Sequence, residues 1–136
     1  MKKLKVTFAV LLAFLLTVTG FAQSSAGNEK PSGRNEAGIS VYYFHFNARC
    51  ATCRAVESET KADIESLFDD RVSFTAMNLD EAAGKEKGHA LGVSGQTLLV
   101  VKGDKKINLT SEGFLYARTD PEKFRQIIRD TIKPLL

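Results

Sequence analysis

The sequence is short of cysteine. Cys50 and Cys53 are the only two in 136 residues. A second spaced pair, which a structural zinc site would need, is missing. The one disulfide the chain can form closes so small a loop that it removes little chain entropy, so a purely structural staple is a weak explanation for it. The chain also lacks a clustered basic face. Of its 19 Lys and Arg, Lys2, Lys3 and Lys5 fall in the first 22 residues with no acid among them, which leaves 16 basic residues against 16 acidic ones. The formal charge of +3 therefore belongs to the N-terminus, and nothing points to a nucleic-acid partner. There is no nicotinamide or flavin motif and no internal repeat.

Long apolar runs are confined to one place. "MKKLK" is followed by "VTFAVLLAFLLTVTGFA", uncharged and ending in small residues. This is the pattern of a secretory signal peptide over residues 1–22, cleaved between Ala22 and Gln23. The alternative, a retained membrane anchor, meets a run that is short against the roughly 20 residues a bilayer requires. No cysteine lies near the cleavage point to carry a lipid. The expectation is export to the periplasm or cell envelope, where a disulfide can form and persist. Residues 23–37, "QSSAGNEKPSGRNEA", have nothing to bury and read as a flexible linker.

The folded domain is expected over residues 38–136. "ISVYYFHF" is apolar on both parities and suits a central strand covered on both faces. From residue 50 to about 69 the period changes. Cys53, Val56, Thr60, Ile64, Leu67 and Phe68 recur three or four apart, with Arg54, Glu57, Lys61, Asp63 and Glu65 mostly opposite, which predicts an amphipathic helix. "RVSFTAMNLD" reads as a second strand. "EAAGKEKGHALGV" reads as a short or irregular helix, because Gly84 and Gly88 each cost up to about 1 kcal/mol against Ala. "QTLLVVKG" and "KINLT" form a hairpin about "GDK", and "SEGFLYAR" reads as loop or strand end. Asp120 as N-cap and Pro121 at the first helical position open a last helix, whose stripe is Phe124, Ile127, Ile128 and Ile132 and which Pro134 ends. The order strand, helix, strand, helix, strand, strand, helix predicts an α/β fold. Its first two strands are parallel with a right-handed crossover.

In this reading Cys50 lies at the start of a helix. The free N–H groups and positive dipole there favour a thiolate, and Arg49 adds a full positive charge next door. Cys50 is then the nucleophile. Cys53, one turn further in, resolves the mixed disulfide. Two other uses of the pair stay open. Cys50 and Cys53 with His45 and His89 would make a two-sulfur, two-nitrogen zinc set, although the histidines have no ligand-like spacing. Two thiolates alone can also hold a soft ion such as Cu(I) or As(III).

A strand, "CATC" opening a helix, and this element order resemble the thioredoxin-like superfamily over residues 38–135, and "LGVSGQTLLVV" looks like its Gly–cis-Pro–Thr segment. The resemblance implies a central mixed four-stranded sheet flanked by helices. It also implies a redox-active disulfide with no further cofactor, and substrate docking at Gln96 and Thr97. More narrowly, "YYFH…RCATCRAVE", "TLLVV", "NLT" and "TDPEKF" are similar to the nitrophenyl compound nitroreductase subunit ArsF family. That similarity implies a nitroreductase partner subunit. The superfamily role implies a cysteine-bearing protein substrate or a membrane electron donor.

Two departures stand out. Gln96 takes the place of the cis-proline, and a cis bond before a non-proline residue costs about 2.5–4 kcal/mol, so a trans path and a looser docking edge around the dithiol are expected. Phe44 stands where thioredoxins hold a buried acid. His45, its neighbour, is the candidate proton acceptor for Cys53 if strand alternation turns it inward.

Overall fold

The computed structural model describes residues 38–136. The predicted signal peptide and linker lie outside the described residues. Four strands form one sheet in the order β2-β1-β3-β4. They are β1 (Ile39–His45), β2 (Val72–Asn78), β3 (Thr97–Lys102) and β4 (Lys105–Asn108). β1 runs parallel to β2, in register Ile39 with Val72, and antiparallel to β3, with Tyr43 opposite Leu98. The β3–β4 hairpin turns at Gly103, whose φ of 55° is the conformation a two-residue turn assigns to glycine.

The helices are α1 (Ala51–Phe68), α2 (Ala82–Leu91), α3 (Thr110–Tyr116) and α4 (Pro121–Ile132). α1, α3 and α4 cover one face. There Ile39, Val41, Tyr43, Leu98 and Val100 of the sheet pack on Val56, Ile64, Phe68, Phe124, Ile128 and Ile132. α2 covers the other face, where a Cβ on Gly88 would lie 3.7 Å from the Phe44 ring. β1 is thus enclosed on both sides, as its apolar run on both parities requires. Among the described residues no helix is long and apolar enough to cross a membrane.

Several expectations change on contact with the fold. α2 is a regular ten-residue helix despite its glycines. Gly84 and Gly88 are buried there because α2 lies directly on the end of β2. A Cβ on Gly84 would sit 1.8 Å from the Asn78 carbonyl oxygen, so only glycine permits the approach. Gly92, at φ 74°, then closes the helix, its N–H donating to the Gly88 and His89 carbonyls. "SEGFLYAR" is largely helix, forming α3, rather than loop. Asp63, assigned by periodicity to the polar side of α1, is buried and bonded to Arg125 of α4 (Nη1 to Oδ1, 2.9 Å). At the last helix the cap chemistry is as expected: Asp120 Oδ1 accepts the Lys123 N–H at 3.1 Å.

Candidate functional site

The end of β1 leads through residues 46–49 to the start of α1. The two cysteines sit there as a disulfide, with Cα atoms 5.0 Å apart. Cys50 is the N-cap of α1. Its backbone is extended (φ −77°, ψ 166°), and its sulfur accepts the Cys53 N–H at 3.1 Å while its carbonyl accepts the Arg54 N–H at 3.1 Å. The sulfur therefore does the work that a Ser or Asp oxygen does at most helix starts. It occupies a position where an anion is favoured by both the bond and the dipole. Cys50 is exposed, whereas Cys53 is only 3% exposed. The two sulfurs thus differ in access, as attack by one and resolution by the other require.

Arg49 directs its charge to a carboxylate of α1. Its guanidinium pairs with Glu57, two turns into α1, and both side chains are largely covered (23% and 27% exposed). The Tyr43 hydroxyl lies in the same region. It is fully buried, with no hydrogen-bond partner among the described residues. Burial pushes the phenol above its ordinary range, and the nearby Arg49 charge pulls it back in part. Sequence periodicity placed Glu57 on the solvent side of α1. The signal that was available is its spacing of four from Cys53, which puts both on one helix face.

His45 lies on the same parity of β1 as Tyr43, and their ring centroids are 6.0 Å apart. Its Nδ1 bonds the neighbouring Phe46 carbonyl oxygen at 3.0 Å. Among the described residues it makes no hydrogen bond to either cysteine. His89 is exposed on α2. No group of three or more His, Cys, Asp or Glu is gathered closely enough to hold a metal ion among the described residues. Phe44 is fully buried against the α2 side of the sheet.

The segment before β3 completes the site. Every described peptide bond is trans, including the one preceding Gln96. On that path Gln96 covers the Cys53 side of the disulfide while Cys50 stays exposed. The Gln96 amide lies against Cys53, with Nε2 3.5 Å and Oε1 3.6 Å from its sulfur. Thr97 begins β3 and turns its hydroxyl back to donate to the Gly95 carbonyl at 2.9 Å. The structure therefore brings Cys50, Cys53 and Gln96 together, with Arg49 and Glu57 beside them.

No family model and no curated protein matches the chain. Solved structures do. Trxlp from Edwardsiella tarda EIB202 is similar at 15% identity and a TM-score of 0.50, over 68% of this chain and 82% of that one. Chlamydomonas reinhardtii thioredoxin f2 is similar at 16% identity and a TM-score of 0.45, over 72% and 82%. A thioredoxin from Thermus thermophilus is similar at 16% identity and a TM-score of 0.44, over 71% and 79%. At such identities a likeness concerns architecture. The first of them, with the β2-β1-β3-β4 sheet and the disulfide at the start of α1, shows that the chain has a thioredoxin-like fold.

Proposed function

We propose that this protein is an exported thiol–disulfide oxidoreductase that works through the Cys50–Cys53 pair. One observation carries the reading: an exposed sulfur caps the first long helix and is bonded to a buried sulfur one turn in. An incoming thiolate can reach Cys50 and not Cys53. In the reduced protein the helix start stabilises Cys50 as the attacking anion. The substrate is a cysteine-bearing protein or the thiols of a membrane electron donor, meeting the surface around Cys50, Gln96 and Thr97. The local similarity to the ArsF nitroreductase subunits supports a place in a nitroreductase system. With no nicotinamide or flavin motif of its own, the chain would pass electrons there rather than reduce a nitro group itself. The N-terminal signal pattern supports the periplasm or cell envelope as its location.

The test is insulin reduction with dithiothreitol as electron source. The wild-type protein is expected to accelerate it and Cys50→Ser to abolish the acceleration. Cys53→Ser should instead accumulate a mixed disulfide on Cys50, visible by mass. Absence of turnover together with tight Cu(I) binding against a competing chelator would replace this reading with metal carriage.

A further inference from the structure

In the disulfide form Cys53 is 3% exposed, which leaves its sulfur little access to water. A buried sulfur anion without a donor is costly, and the partner has to come from the protein. The side chain in place is Gln96, which offers both a donor and an acceptor at nearly equal distance, 3.5 Å and 3.6 Å. A proline there would offer neither, and a carboxylate only acceptors.

We propose that Gln96 is the hydrogen-bond partner of Cys53 throughout the redox cycle, donating to the sulfur when it is disulfide or thiolate and accepting from it when it is thiol. This rests on the thiol–disulfide reading above. When a substrate thiolate attacks Cys50, a new substrate–Cys50 S–S bond forms and the Cys50–Cys53 bond breaks. The bonding electron pair stays on Cys53, whose sulfur leaves as an anion. Gln96 Nε2–H, whose nitrogen already lies 3.5 Å from that sulfur, stabilises it as it leaves. When a proton from solvent or from the substrate's second thiol reaches Cys53, the S–H turns to Oε1. In the opposite direction Cys53 gives up that proton to solvent, returns to the Nε2–H bond as a thiolate and attacks the Cys50 sulfur. The Cys50–Cys53 bond forms, the substrate–Cys50 S–S bond breaks, and the substrate sulfur leaves with the electron pair as a thiolate.

The experiment places three residues at position 96 of the full-length Cys50→Ser chain, in which Cys53 is the only thiol. They are the native Gln, Gln96→Met (matched in length, with no donor) and Gln96→Glu (matched in shape, acceptor only). Because Cys53 is only 3% exposed, its ionisation is followed by the ultraviolet absorbance of the thiolate against pH, which needs no reagent to enter, and the midpoint of the profile is read. Gln96→Met is expected to leave about tenfold less thiolate at a given pH, the size of one lost charge-assisted bond. Gln96→Glu is expected to leave less still. Identical midpoints for Gln and Met would overturn the proposal. The reduced wild-type chain gives the same answer without a variant at this position: the Gln96 side-chain amide NMR signals should move with the Cys53 titration, and signals that stay fixed would also overturn it. Insulin turnover is measured alongside. Its absence counts against the redox reading alone, and the midpoints still decide the role of Gln96.

Discussion

The sulfur of Cys50 is a helix cap, and this single substitution of sulfur for oxygen explains most of the site's chemistry. A capping atom must be unprotonated on the side facing the N–H groups, so the helix start and the thiolate favour each other. The residues behind the pair are less orderly. Arg49 and Glu57 form an ion pair half-sunk into the protein, and Tyr43 brings a hydroxyl there without a partner among the described residues. Leaving a polar atom buried and unpaired costs about 1–3 kcal/mol, and removing it can recover part of that. Tyr43→Phe is therefore expected to hold or raise stability by up to about 1 kcal/mol in urea unfolding. A loss larger than about 1 kcal/mol would mean the hydroxyl has a partner that matters. Of the site, Cys50 and Cys53 were legible from spacing alone. Gln96 was legible as a departure, but its contact with Cys53 was not, because the two are 43 residues apart and meet only once β3 lies beside β1.

At the level of elements, the clearest feature is how α2 sits on β2. The sequence argues against a good helix here, since Gly84 and Gly88 lower its propensity. The fold needs them there for closeness, and tertiary packing overrides the local cost. Gly84→Ala would drive a methyl to 1.8 Å from the Asn78 carbonyl oxygen, a backbone atom tied to β2. The expected loss is about 3 kcal/mol in urea unfolding, at the upper end for overpacking. Gly88→Ala meets the Leu79 side chain and the Val93 carbonyl oxygen at 3.0 Å, and should cost less. Equal small losses for both would show that α2 can lift away. α3 was illegible for a related reason. Seven residues with a central glycine carry no helical stripe. Gly113 is buried because its Cβ position lies 3.1 Å from a Val56 methyl on α1, so the helix is made by its neighbours. By contrast α4 announces itself, with an Asp cap, a proline at its first position and an apolar stripe that the structure buries at Phe124, Ile128 and Ile132.

At the scale of the whole domain, an ion pair with a buried carboxylate and a partly exposed arginine ties the first long helix to the last. Asp63 of α1 accepts a hydrogen bond from Arg125 of α4, whose side chain reaches in from the surface. Burial raises the Asp63 carboxyl above its ordinary value, more than the Arg125 charge lowers it. The folded protein thus binds this proton more tightly than the unfolded chain does. Its contribution to stability is complete below the ordinary carboxylate value of about 3.9 and is lost as pH rises through the higher folded value. Asn at this position cannot titrate. The stability of wild type relative to Asp63→Asn should therefore decline from about pH 4 towards neutrality in urea midpoints taken at several pH values. A difference that grows with pH would show that the arginine, not burial, governs the carboxyl. The parallel β1–β2 pair and the antiparallel β3–β4 hairpin are as the alternation of patterns implied, whereas the sheet order β2-β1-β3-β4 comes from the structure alone.

The central claim is chemical: Cys50 is the accessible, helix-stabilised nucleophile and Cys53 its shielded partner. Alkylation of the fully reduced wild-type protein by limiting iodoacetamide, with the modified site located by mass spectrometry across a pH series, measures it directly. The account predicts modification at Cys50 first, with a rate that reaches its plateau at lower pH than that of an unstructured cysteine peptide. Modification at Cys53 first, or a Cys50 profile that overlays the peptide's, would contradict it.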